Sequence, residues 1–161
     1  MDVILLAIKD KLIKGNCTIT GHEDEIILNS FSHSVALPMS MDAANTERTA
    51  GKPQFSEMSF SKMTDQSTPA LYAACTAGTK LTEATLFIGR NEAGVFMSLM
   101  KYVMTNPMVS NINTSGGGGI PADSFSLNFT KITSEFTQQN ADSTKKGTAT
   151  FGWDLATNKA A

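Results

Sequence analysis

Between Pro53 and Ile88 the chain reads PQFSEMSFSKMTDQSTPALYAACTAGTKLTEATLFI, a strand, a short capped helix and a second strand with little between them. Phe55, Met58 and Phe60 supply apolar positions in a run dotted with serine, the pattern of a strand packed on one face and wet on the other. Thr68-Pro69 then reads as N-cap and first helical residue, because proline presets a helical backbone angle where its missing N–H would have had no partner. Gly78 stops the helix, which therefore covers about residues 69–77. Leu71, Ala74 and Cys75 fall at i, i+3 and i+4, so one side of it is apolar and small. Isolated helices below ~12 residues are marginal in water. This one must dock on a sheet, which places Leu71 and Cys75 in the buried core.

Elsewhere the dominant period is two. Val3 to Ile8 is a nearly continuous apolar run, as in a strand buried on both faces or at a barrel seam. Phe31, His33, Val35 and Leu37 alternate with Ser30, Ser32, Ser34 and Ala36, giving one heavy face and one small polar face. Leu86 and Ile88 end a strand, Gly89, Asn91 and Gly94 mark a turn, and Val95 to Thr105 returns as its hairpin partner. Phe125, Leu127 and Phe129 alternate on odd positions, whereas Ile132 and Phe136 continue on even ones, so a bulge or edge crossing lies near Thr130 or Lys131. Phe151, Trp153 and Leu155 make the last strand; Phe129 and Trp153 join the predicted core. The fold class is mainly β: a two-sheet antiparallel barrel or sandwich with one short flanking α-helix and a long extended loop at about 38–53, in a single domain over 1–161.

Charge and composition exclude several classes. Thirteen basic residues against 15 acidic ones, scattered along the chain, form no basic stripe for a phosphate backbone, so nucleic acid is not a partner. The opening MDVILLAIKDKLIKG is too short in apolar residues for a signal peptide or membrane span, which predicts no membrane insertion and synthesis in the cytosol. Cys17 and Cys75 are then free thiols.

The chemical inventory is thin. His22, Glu23, Asp24 and Glu25 bunch together, but consecutive residues point in different directions and no spaced second histidine completes a ligand set, so the group reads as a solvated acidic turn. No GxSxG elbow accompanies the scattered Ser, His and Asp residues. The run SGGGGIP lacks the Lys-Ser/Thr and following helix of a phosphate loop and reads as a strand connection. No catalytic, cofactor or metal residue is assigned, and the chain is not read as an enzyme.

Several segments together carry a resemblance: VILLAIKD…IKG, HEDEI entering ILNSFSHSV, FSEMSFSKMTDQSTPALYAACTAG, the glycine run, SFSLNFTKITSEFT and the closing FGWDLATN. Over nearly the whole chain they resemble the haemolysin-coregulated protein (Hcp) family, the tube protein of bacterial type VI secretion. The resemblance implies a two-sheet β-barrel with a flanking helix, assembled as hexameric rings that stack into a hollow tube. It implies the tip spike protein, the contractile sheath and small effector proteins as partners. It also implies a bacterial cytoplasmic location before firing and secretion to the medium or into target cells afterwards. On that basis Ser30, Ser32 and Ser34 are candidates to line the lumen, and Met39, Met41, Ala43, Ala44 and Arg48 are candidates for a loop that stacks rings. Independently of the name, unpaired sheet edges favour association, and head-to-tail contacts between identical subunits close into rings or run on as filaments. A monomeric carbohydrate- or lipid-binding β-barrel is the alternative; it requires strands apolar on both faces around a pocket, against which the serine face from Ser30 to Ser34 argues.

Overall fold

The computed structural model describes residues 2–10, 12–41, 48–139 and 145–161. In chain order the strands are β1 (Asp2–Ile8), β2 (Ile26–Leu28), β3 (Ser30–Ser32), β4 (Val35–Ala36), β5 (Met39–Met41), β6 (Arg48–Ala50), β7 (Gln54–Phe55) and β8 (Met58–Met63). Helix α1 (Ser67–Ala77) follows, then β9 (Glu83–Glu92), β10 (Val95–Thr105), β11 (Met108–Ser115), β12 (Ala122–Asn128), β13 (Lys131–Gln139), β14 (Lys145–Asp154) and β15 (Lys159–Ala160). A seven-stranded sheet runs β15-β14-β13-β10-β9-β1-β2, and a four-stranded sheet runs β11-β12-β8-β3. All pairings are antiparallel. The sandwich expectation holds, and among the described residues the sheets stay open rather than closing into a barrel.

The core lies between the sheets. Leu6, Ala84, Leu86, Met104 and Ile132 meet Met58, Phe60, Val109, Phe125 and Leu127, with Leu71 and Ala74 of α1 joining them. Phe60 and Phe125 are cross-strand partners whose ring centroids lie 5.0 Å apart. Each such buried side chain contributes about 1.5–3 kcal/mol of apolar transfer. The chain passes from one sheet to the other at Asn29 and again at Phe129-Thr130, which is the crossing that the parity change announces. Leu5 and Leu6 are both fully buried in β1, as its unbroken apolar run requires.

Four readings are corrected. The helix begins at Ser67, not at Pro69, and Thr68 is not its cap. Asp65 does the capping instead: its Oδ1 accepts the Ser67 N–H at 2.9 Å, and Thr68 Oγ1 accepts the Asp65 N–H at 3.3 Å, the reciprocal arrangement of a capping box. At the other end Gly78 is left-handed at φ 61°, and Thr79 N–H donates to the Ala74 carbonyl, closing the helix as expected. Second, the long extended loop at about 38–53 is partly paired: β5 pairs with β6 within it, and β4 pairs with β7 flanking it, as two-stranded ribbons held by backbone hydrogen bonds. Third, the alternation from Phe31 to Leu37 does not keep one packed face: β3 ends at Ser32, and Val35 and Leu37 are exposed. Fourth, Cys75 and Trp153 are only partly buried, each at the margin of its element, whereas Leu71 and Phe129 lie in the core. Cys17 is buried, and both thiols are free.

The β9–β10 turn also differs from expectation. It is made by Ala93 and Gly94, both at positive φ, while Gly89 lies inside β9 and is buried. A Cβ on Gly89 would meet the Met97 carbonyl oxygen at 2.1 Å, because β10 bulges at Leu99 and crowds its partner there. Gly89→Ala is therefore expected to destabilise the protein by about 1–3 kcal/mol in chemical denaturation, the range for overpacking. Gly117→Ala, in the open glycine run, should change stability by less than about 0.5 kcal/mol.

Candidate functional site: assembly surfaces on a buried polar anchor

Strand β8 alternates inward Met58, Phe60 and Lys62 with outward Ser59, Ser61 and Met63. Parity thus carries a lysine into the packed face, where an unpaired charge is prohibitive. Its direct cross-strand partner on β12 is Asp123, inward for the same reason as Phe125 and Leu127. Both are buried, with 0% and 1% of their surface exposed. Lys62 Nζ donates to Asp123 Oδ2 at 2.6 Å, to Thr68 Oγ1 at 2.9 Å and to Asp65 Oδ1 at 3.0 Å, with the Met63 carbonyl a longer fourth acceptor at 3.4 Å. Asp123 accepts further hydroxyls from Thr68 at 2.5 Å, Thr64 at 3.0 Å and Thr114 at 2.8 Å, and Tyr72 OH donates onward to Thr114. The network joins β8, β11, β12 and the first turns of α1. The sequence reading missed Asp123 and the part played by Lys62; the signal was a lysine at an inward position of a strand, which requires a carboxylate opposite.

Burial pulls the Asp123 carboxyl up, but the hydrogen bonds from Lys62, Thr68, Thr114 and Thr64 together pull it further down, below its ordinary value. A carboxyl depressed in the folded state gives stability that is present above its unfolded value near ~4 and lost as pH falls through the folded value.

The opposite face of the small sheet is a grid of small polar side chains. The tripeptide Ser-Phe-Ser occurs at 30–32, 59–61 and 124–126, and the three copies lie side by side in register. Phe31, Phe60 and Phe125 align inward. Outward, Ser32, Ser59, Ser126 and Asn111 make one row, and Ser30, Ser61, Ser124 and Asn113 the next. The Ser59 and Ser126 hydroxyls are 3.1 Å apart. Of the predicted lumen residues, Ser30 and Ser32 belong to this grid and are exposed; Ser34 is exposed too but lies past β3, its N–H donating to Ser56 Oγ. Ser59, Ser61, Ser124 and Ser126 were not singled out, although the repeated tripeptide marks them.

Of the predicted stacking residues, Met39, Met41 and Arg48 lie in the β5–β6 ribbon, where Met41 pairs with Arg48 and Met39 is exposed. Ala43 and Ala44 lie outside the described residues. The acidic turn is solvated only at Glu23 and Asp24. His22 and Glu25 tuck in: Nδ1 of His22 is 2.9 Å from Glu25 Oε2, and the imidazole packs edge-on against Phe87 and Phe96. Burial, with help from the Glu23 charge, raises the Glu25 carboxyl against the lowering effect of His22.

With this arrangement in view, comparison with known proteins is direct. The family described as type VI secretion system effector, Hcp, matches residues 5–136. Protein hcp1 of Pseudomonas aeruginosa is 32% identical over 114 residues, which cover 66% of this chain and 68% of that protein. A solved type six secretion system protein superposes on the whole of both chains with a TM-score of 0.90 at 22% identity. Hcp1 from Salmonella typhimurium superposes over 99% of each chain with a TM-score of 0.80 at 22% identity. The chain belongs to the Hcp family of the type VI secretion system, a family of structural secretion proteins.

Lys62→Met, which strands Asp123 as a buried unpaired charge, is expected to cost about 3–5 kcal/mol in equilibrium unfolding. Lys62→Met combined with Asp123→Asn should cost clearly less than the sum of the two single changes. Wild-type stability should fall as pH drops below about 4, and the Asp123→Asn protein should lose part of that dependence.

Proposed function

We propose that the protein is the single-domain subunit of a type VI secretion tube, forming hexameric rings that stack head to tail and leave the bacterial cytoplasm when the contractile sheath drives them out behind the tip spike. Small effector proteins travel in the lumen. The observation that carries this reading is the arrangement of unpartnered surfaces around the sandwich.

Two edges of the large sheet support lateral closure. On β13 and β14, towards one edge, Phe136 and Phe151 share the face of Ile132 and Trp153 and are 46% and 51% exposed. At the opposite edge Val3, Ile4, Ile27, Leu28 and Leu99 line a groove of about 480 Å³. Two unlike patches at opposite edges suit a heterologous contact, which closes into a ring. Stacking is supported by β8. The β4–β7 ribbon leads into its start and α1 leaves from its end, so the β5–β6 hairpin and the helix mark opposite poles roughly 17–20 Å apart. The exposed Val35, Leu37 and Met39 make the hairpin pole apolar. The serine grid, made of uncharged hydroxyl and amide side chains, suits a lumen wall that holds cargo weakly.

Light scattering on the purified protein, followed by negative-stain imaging, should show six-membered rings; a clean monomer at tens of micromolar overturns the reading. Replacing Met41 to Gly51 by a short Gly-Ser linker should leave rings intact and abolish tube growth and secretion. Monomers from that variant would instead assign the hairpin to the lateral contact. Ser32→Tyr should leave ring formation unchanged and lower the level of a co-expressed small effector; an unfolded product would show that this face is packed.

A further inference from the structure

His33 stands at the junction where the chain leaves β3 for the β4–β7 ribbon. Its ring stacks on Phe55 of β7 at 6.0 Å and lies 5.9 Å from Phe129 and 6.4 Å from Tyr102 of β10. Phe55 in turn stacks on Trp153 at 6.4 Å, so the order is imidazole, phenyl, indole. Val35, Ala36 and Gln54 of the ribbon are exposed, which leaves Phe55 as the side chain of these two strands that touches the body of the sandwich. Nε2 of His33 is buried without a hydrogen-bond partner.

We infer that His33 is an acid-sensitive latch: neutral, it clamps Phe55 and holds the ribbon with its β5–β6 hairpin against the sandwich, and protonated, it lets the ribbon go. In the imidazolium both ring nitrogens are donors, so whichever nitrogen gains the proton, Nε2 becomes a buried N–H with no acceptor and the ring carries a positive charge. The groups around it offer no compensation. Phe55 and Phe129 do not ionise, and Tyr102 meets the imidazole through its ring. Lys101, next to Tyr102 on β10, lies over Phe87; Glu57, at the entry to β8, accepts from the Ser110 hydroxyl. Burial alone pushes the imidazole below its usual value, with no charged group contributing. A histidine depressed in the closed state favours closure above its ordinary value near ~6.5 and withdraws that support as pH falls below it, by up to about tenfold per unit of depression. The consequence for tube stacking rests on the hairpin role proposed above; the latch itself does not.

Hydrogen exchange on the isolated protein tests the latch without any tube. Corrected for intrinsic rates, the Gly51 and Ser56 amides, which donate to Pro38 and Ser34, should exchange at least several-fold faster at pH 5.5 than at pH 7.5. Amides of β10 and β13 should not change. His33→Phe, aromatic and unable to ionise, should abolish the pH dependence, and Phe55→Leu should raise exchange at both pH values. Should His33→Phe fail to fold, the wild-type imidazole titrated by NMR carries the test: a value below that of a model histidine, moving with the ribbon amides, supports the latch. Ribbon protection unchanged at pH 5.5, or a dependence that survives His33→Phe, overturns it. If exchange responds as expected but stacking is indifferent to pH, the latch stands and the hairpin's role in stacking falls.

Discussion

The Lys62–Asp123 pair is the constraint on which the rest of the structure depends. A buried ion pair adds little net stability over apolar residues of similar size, because desolvating both charges offsets most of their attraction. What it imposes is uniqueness. The two residues are directly opposed on the central strands of the small sheet. A one-residue slip of β8 would turn Lys62 outward and leave Asp123 buried with no cation, while Met58 and Phe60 turned to water with it. Asp65 and Thr68 extend the same demand to α1, since both bond the Lys62 ammonium and both shape the helix start. One lysine therefore ties strand register to helix placement.

This explains why the stretch from Ser59 to Gly78 is so distinctive for a segment without catalytic residues. Lys62, Asp65, Ser67 and Thr68 are spaced so that a strand, a tight turn and a first helical turn bring four polar groups to one point. Sequence inspection registers the pattern. The partner that gives it meaning, Asp123, lies on another strand sixty-one positions away, and no local periodicity connects them.

What was legible in the chain follows the same division between local and distant causes. Periods of two reported the strands, and the parity change after Phe129 reported the crossing between sheets, because side-chain direction is a local property. The helix start was misread because Thr68-Pro69 resembles a cap while the acceptor that serves is Asp65, further back. Gly89 looks, in sequence, like a turn residue, because nothing local distinguishes a glycine demanded by a bulge in the facing strand. The β5–β6 ribbon escaped because strands of three residues each are too short to establish a period. The serine grid was visible in outline, as three Ser-Phe-Ser tripeptides, yet its registration across three strands is a tertiary fact.

Strand β8 concentrates these roles. Its inward side chains supply the core and the charge anchor, its outward serines belong to the grid, and its two ends lead to the ribbon and to the helix. A tube subunit that stacks pole to pole transmits axial load along such an element, and lateral creep of β8 against β12 would misplace both poles together. A two-residue slip keeps every side chain on its face, so apolar packing opposes it less than a one-residue slip. A buried charge pair opposes both: moving Lys62 along β8 relative to Asp123 breaks a charge-assisted bond in a dry interior and leaves two ions unmatched. In the proposed assembly the anchor's contribution is thus geometric: it fixes β8 against β12, and with it the start of the helix at one end and the root of the ribbon at the other.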